Sequence, residues 1–160
     1  MIIDYTDIRA VRPIAENLID EKRLAPYIDE ADKLYLLPAL GATLHKAVET
    51  DKTTYATLFA GGYYDADTRH FAGLTQAAGY LAYARFVRNQ NVNVTPFGVV
   101  QKQTQYSNPV DEKTIVRTAN EAEKIGLEYL RQCVEYLKFG GQIDQNEKTK
   151  TKKKFKTIGD

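Results

Sequence analysis

The sequence predicts a mostly α-helical protein: a small bundle of five or six helices with an extended arm or β-hairpin and a basic C-terminal tail. Three observations predict it. Apolar residues recur at three- and four-residue steps through most of the 160 residues, the spacing of one helix face. Prolines and paired glycines punctuate those runs where helices start and stop. One stretch, residues 91–106, abandons the helical pattern for turn formers, β-branched residues and glutamines.

The elements follow in order. From Asp4 to Ile19, acid and hydroxyl residues that can cap a helix precede Ile8, Val11, Ile14 and Leu18. Pro13 interrupts this run, so a helix is expected to start near it rather than pass through it. From Glu21 to Tyr35, one face carries Leu24, Tyr27, Ile28, Ala31, Leu34 and Tyr35, and the other Asp29, Glu30, Asp32 and Lys33. That is an amphipathic helix, with Glu30 and Lys33 as a plausible surface pair. Pro38 favours the first turn of a new helix through Leu40, Leu44 and Val48. A shorter helix, about Thr53 to Phe59, stops at Gly61-Gly62, and Tyr63 to Thr68 reads as a turn-rich loop.

The segment from Phe71 to Asn89 is apolar on nearly every side, with small residues at Gly73, Ala77, Ala78, Gly79, Ala82 and Ala84. It predicts the central buried helix, closely approached by its neighbours. Val99 to Tyr106 reads as extended and polar. Asn108 can then cap and Pro109 suits a first helical position, opening a long helix with Ile115, Ala119, Ala122, Ile125, Tyr129, Cys133, Tyr136 and Leu137 on one face. Gly140-Gly141 ends it. The division expected is a helical domain over residues 1–141 and a lysine-rich tail over 142–160.

Composition narrows the function classes. Hydrophobic residues make up 43% and charged residues 27%, ordinary for a packed globular core. The longest apolar run, Ala77 to Ala84, stops at Arg85, far short of a membrane span, and the N-terminus has no secretory pattern. A cytosolic protein, not a membrane one, is therefore expected. The net charge of +1 hides an asymmetry. Residues 148–160 hold six lysines against the single acid Asp160, which leaves a mildly acidic body.

A search for chemistry finds no site. His45 and His70 have no metal-ligand spacing and no acidic partner at catalytic spacing, and Cys133 sits on an apolar stripe as an inert thiol would. Asp29, Glu30 and Asp32 point different ways on a helix and read as a solvated face. The chain has no phosphate-cradling glycine loop, and Ser107, its sole serine, is in no nucleophile motif. No enzyme activity, metal or cofactor is expected, although a site assembled from distant residues would not show this way.

Two features remain. The tail lysines Lys148, Lys150, Lys152, Lys153, Lys154 and Lys156, with Phe155 among them, read either as a solvated end or as contacts to a partner or to DNA phosphates. The arm from Thr95 to Tyr106 reads either as an intramolecular hairpin or as a strand that pairs with a neighbouring subunit, with Thr95, Phe97, Val99, Val100, Gln101, Gln103, Gln105 and Tyr106 at the interface.

The order of parts also carries a resemblance. A Tyr-Ile-Asp-Glu-Ala-Asp-Lys helix (Tyr27–Lys33), a Leu-Pro-Ala-Leu-Gly turn (Leu37–Gly41), the small-residue central helix, a Thr-Pro-Phe-Gly-Val-Val arm (Thr95–Val100) and a long last helix follow one another. Over about residues 8–140 this resembles the head–tail connector (adaptor, or head-completion) proteins of tailed bacteriophages, especially those of Bacteroides-type hosts. The resemblance implies a structural virion protein at the head–tail junction, assembled in the host cytoplasm. It implies a homo-oligomeric ring, twelvefold by analogy, that binds the portal protein and further tail or ring proteins, with possible non-specific DNA contact. The alternative is a nucleic-acid-binding accessory protein acting through the lysine-rich tail. Its binding would weaken with salt at a log–log slope of about −5 if all six lysines met phosphates.

Overall fold

The computed structural model describes residues 2–12, 21–89, 92–95, 98–101 and 111–143. The fold is mostly α-helical, a small bundle that carries antiparallel hairpins, as expected from the sequence.

Helix α1 spans Tyr5–Val11 and opens on a capping box. The Asp4 carboxylate accepts the Thr6 amide at 2.7 Å, and the Asp7 carboxylate accepts the Asp4 amide at 2.9 Å. The helix stops ahead of Pro13 and does not run through it, while a helix start at Pro13 itself falls outside the described residues. Arg12 is extended (φ −146°, ψ 141°), the conformation a following proline imposes. Ile14 and Leu18 lie outside the described residues.

Helix α2 runs over residues 21–40 in three pieces: α-helical Glu21–Ala31, a π turn Asp32–Leu36, and a last α turn Leu37–Leu40. The π turn changes which residues face inward. Leu24, Ile28 and Ala31 are buried on the expected face. A π turn accommodates one extra residue, which rotates everything after it. Asp32 and Leu36 therefore turn into the core, while Leu34 is left 55% exposed. This corrects two expectations, Asp32 as a solvated carboxylate and Leu34 as a core residue. The expected Glu30–Lys33 pair is also replaced. Lys33 pairs with Asp29 at 2.7 Å, and Glu30 reaches across to Arg85.

Helix α3, Ala42–Thr50, begins after Gly41, not at Pro38. Pro38 belongs to the closing turn of α2, and Gly41 (φ +76°) supplies the conformation that separates the helices. α3 presents His45, which is buried, and its Nε2 donates to Asp32 Oδ1 at 2.8 Å. Each polar group is thus inside because the other is. Helix α4, Ala56–Ala60, ends at Gly61.

The expected loop after it is instead a hairpin. β1 (Gly62–Tyr64) pairs antiparallel with β2 (Arg69–Phe71), Tyr63 opposite His70. The connecting Asp65, Ala66 and Asp67 all take left-handed φ (56°, 51° and 63°), a conformation costing roughly 1–2 kcal/mol per residue.

Helix α5, Leu74–Asn89, is the centre of the bundle, buried at Leu74, Ala77, Ala78, Gly79, Leu81, Ala82, Ala84, Phe86 and Val87. α1, α2 and the last helix pack around it. The last helix, α6, spans Glu112–Phe139. Its N-cap is Asp111, which accepts the Thr114 amide at 3.0 Å, rather than Asn108, which lies with Pro109 outside the described residues. α5 and α6 run antiparallel: Arg88 meets Asn120 and Glu123 at one end, and Phe71, just before α5, stacks on Tyr136 at the other. They approach closely at Gly126, where a Cβ would sit 2.7 Å from Leu81 Cγ. Gly79 does the same for α1, where a Cβ would sit 2.7 Å from Val11 Cγ2.

α6 closes in a Schellman turn. The Gln142 amide donates to Leu137 O at 2.9 Å and the Gly141 amide to Lys138 O at 3.1 Å, with Gly141 at φ +69°. Ile143 folds back against the core. Between α5 and α6 lies a second hairpin, β3 (Val92–Thr95) with β4 (Gly98–Gln101).

The Asp32–His45 pair yields a direct prediction. Asp32→Ala strands a buried imidazole and should cost about 1–3 kcal/mol. Urea unfolding followed by far-UV circular dichroism measures it. A change within experimental error would show the pair to be solvated.

Candidate interaction surfaces

The residues most able to do chemistry are engaged in packing. His45 is bonded to Asp32 inside the core. Cys133 is buried on α6, and burial pushes its thiol up to about 12, so it stays protonated and unreactive. Among the described residues, no group of three His, Cys, Asp or Glu side chains could hold a metal ion. No helix among them is long and apolar enough to cross a membrane. The prominent features are surfaces.

The first lies at the C-terminal end of α5. Arg88 donates to Glu123 Oε2 at 2.9 Å and to Asn120 Oδ1 at 2.8 Å, while the Tyr35 hydroxyl donates to the other Glu123 oxygen. Arg85 donates to Glu30 at 2.7 Å, and the Asn89 amide group donates to Arg85 O at 2.8 Å. This network ties α2, α5 and α6 together where the chain leaves α5 for the β3–β4 hairpin. Burial and the Glu123 carboxylate push the Tyr35 phenol up to about 12. For Glu123, burial disfavours ionisation, but the bonds from Tyr35 and Arg88 outweigh it and hold the carboxyl below its ordinary value.

The hairpin itself pairs Val92 with Gln101, Asn93 with Val100, Val94 with Val99 and Thr95 with Gly98. Of the arm residues expected at an interface, Thr95, Val99, Val100 and Gln101 therefore come together within one chain. Among the described residues the hairpin is two-stranded, with no third strand on either edge. Phe97, Gln103, Gln105 and Tyr106 lie outside the described residues. So do the tail positions Lys148, Lys150, Lys152, Lys153, Lys154, Phe155 and Lys156.

A second surface, at the opposite end of α5, was not anticipated. On the inner face of the β1–β2 hairpin, Tyr64 makes edge contacts with Phe71, Tyr136 and Phe139, and Phe71 stacks on Tyr136 at 4.3 Å. On its outer face, Tyr63 and His70 form an exposed edge-to-face pair at 4.8 Å. Tyr63 is 69% exposed and Phe139 is 54% exposed. The signal in the sequence is Gly-Tyr-Tyr and Arg-His-Phe flanking Asp-Ala-Asp, but each arm is only three residues long. A third feature is an open groove of about 580 Å³ along the first half of α6, lined by Lys113, Val116, Arg117, Asn120 and Lys124 among others.

A model of a family of unknown function, DUF6712, matches residues 36–157. The chain belongs to this family. The matched region starts at the π turn of α2 and runs through both hairpins, α6 and the lysine-rich segment. No curated protein and no solved structure matches the chain.

The Tyr35–Glu123 pair sets a pH dependence at both extremes. A carboxyl held below its ordinary 4.5 contributes stability that is complete above that value and lost as pH falls through the folded value. Glu123→Gln should be less stable at neutral pH and lose less on acidification below 4.5 than the parent. A phenol raised from 10 to about 12 contributes stability below 10 that is lost as pH rises through 12. Difference absorbance titration of the parent against Tyr35→Phe should isolate one tyrosine ionising near 12.

Proposed function

We propose that this chain is a structural subunit of a bacteriophage head–tail connector, a homo-oligomeric ring seated between the portal and the tail. In this reading the β3–β4 hairpin, with the arm that follows it, joins neighbouring subunits. The observation that carries the reading is a ribbon that, among the described residues, is two-stranded with no third strand on either edge, following the last turn of the central helix.

The physical argument is one of incompleteness. Two four-residue strands are marginal alone in water and gain most from a third strand or a covering surface. Free amides and carbonyls along an edge are a template for strand addition. The network of Arg88, Glu123, Asn120 and Tyr35 fixes the end of α5, from which the chain leads on to the ribbon. A ring needs such a heterologous contact, in which one subunit reaches another that reaches the next. The resemblance of the helical order to phage connectors supplies the setting, with the portal and further tail or ring proteins as partners and a twelvefold ring by analogy. The reading assigns no catalysis.

Native mass spectrometry and electron microscopy of the protein mixed with its portal test this. A closed ring on the portal is the expected outcome, and a persistent monomer that ignores the portal would sink the proposal. Val100→Pro sharpens the test by removing an amide from β4, which the ribbon or its neighbour needs. It should leave the helical circular dichroism signal intact and abolish ring formation.

A further inference from the structure

The exposed aromatic end of the molecule lacks an occupant, and the chain supplies one. Three rings, Tyr63, His70 and Phe139, reach solvent around the β1–β2 hairpin. Tyr63 and His70 lie side by side on the outer face, and Phe139 lies at the rim of the inner face against Tyr64, so an extended segment that wraps the hairpin edge reaches all three. The hairpin turn itself carries one excess negative charge, and Lys138 is the basic residue beside Phe139. Asp65 is matched by Arg69 at 3.3 Å, while Asp67 stays exposed beside them. The C-terminus of the 28-residue helix α6 also points here, and its dipole favours cations.

Chain direction adds a second argument. The Schellman turn at Gly140-Gly141 reverses the chain and Ile143 packs back on the core, so the tail leaves the body at this end. From Ile143, Lys148 is five residues on and Phe155 twelve, spans of up to about 17 and 40 Å. The segment carries six lysines and one phenylalanine, ligands for aromatic faces and carboxylates alike. A tether this short gives an effective concentration in the millimolar range, so weak individual contacts suffice.

We infer that, in the free chain, the segment Lys148–Lys156 docks intramolecularly on the Tyr63–His70–Phe139 surface, its lysines over the rings and beside Asp67, and Phe155 among the aromatics. Phosphate-bearing ligands fit this surface less well, because Asp67 and the helix C-terminus repel them. Docking would keep the lysines occupied until a stronger partner displaces them. The inference is independent of the ring reading, since it concerns the isolated chain and uses the other end of the molecule.

Aromatic NMR of the full-length protein tests it. One sample is the parent. The other has all six tail lysines changed to glutamine and carries Phe155→Ser. At low salt, about 10 mM, the Tyr63, His70 and Phe139 resonances should differ between the two, and the difference should shrink at about 1 M, where screening is strong. Identical spectra at low salt would overturn the inference. The difference should not depend on protein concentration, whereas growth with concentration would assign the contact to another chain's tail and overturn the intramolecular reading. A single-stranded oligonucleotide added to the tail-neutralised protein should leave the three rings unmoved. If it shifts them, the surface is a nucleic-acid site instead. Tyr63→Ser with Asp67→Lys, both at exposed positions, should speed trypsin cleavage after the tail lysines, and unchanged cleavage counts against docking.

Discussion

Everything in this molecule hangs on the burial of α5. It is apolar nearly all round, so a single amphipathic neighbour cannot cover it, and α1, α2 and α6 are all recruited. Small residues set how closely they come. At Gly126 the backbone of α6 approaches Leu81 within a distance no side chain would allow, and Gly79 does the same for α1. Dispersion and apolar burial both gain from that approach. The two hairpins flank this helix, β1–β2 just before it and β3–β4 just after. At 1.5 Å per residue, α5 is about 24 Å long.

Polar groups specify what apolar burial leaves loose. Asp32 and His45 lock α3 against the π turn, and the Tyr35–Glu123–Arg88 network fixes how α2 and α6 meet α5. Such bonds add modest net stability, but a wrong arrangement would leave buried groups unpaired. A bundle with short helices such as α3 and α4 gains more from this selectivity than from further apolar contact.

Legibility in the sequence followed the range of the interactions. The α5 and α6 stripes, Gly61 as a stop and the turn at Gly140-Gly141 were readable because they depend on residues within a turn or two. The register of α2 was lost after Ala31, since a π turn has no periodic signature and reassigns Asp32, Leu34 and Leu36 at once. The β1–β2 hairpin was missed because three-residue strands barely alternate, and Asp-Ala-Asp is a poor advertisement for three left-handed residues. The pairs Arg85–Glu30 and Arg88–Glu123 join positions 55 and 35 residues apart, beyond any local pattern. For the arm, the sequence left hairpin and free strand open. Residues 92–95 and 98–101 pair as a hairpin, and the aromatic end went unseen because its rings converge from β1, β2 and α6.

The all-round apolar character of α5 also sets conditions on biosynthesis. The helix leaves the ribosome with its neighbours α1 and α2 already made, but the partner that covers its remaining side, α6, is the last described element to be translated. Until Gly126 and Leu130 arrive, a sticky face on α5 stays open to water and to other nascent chains. Folding is therefore completed late, after synthesis of most of the chain, and the interval rewards spacing between ribosomes or a chaperone that shields that face. The timing of this one helix thus weighs as heavily as its packing.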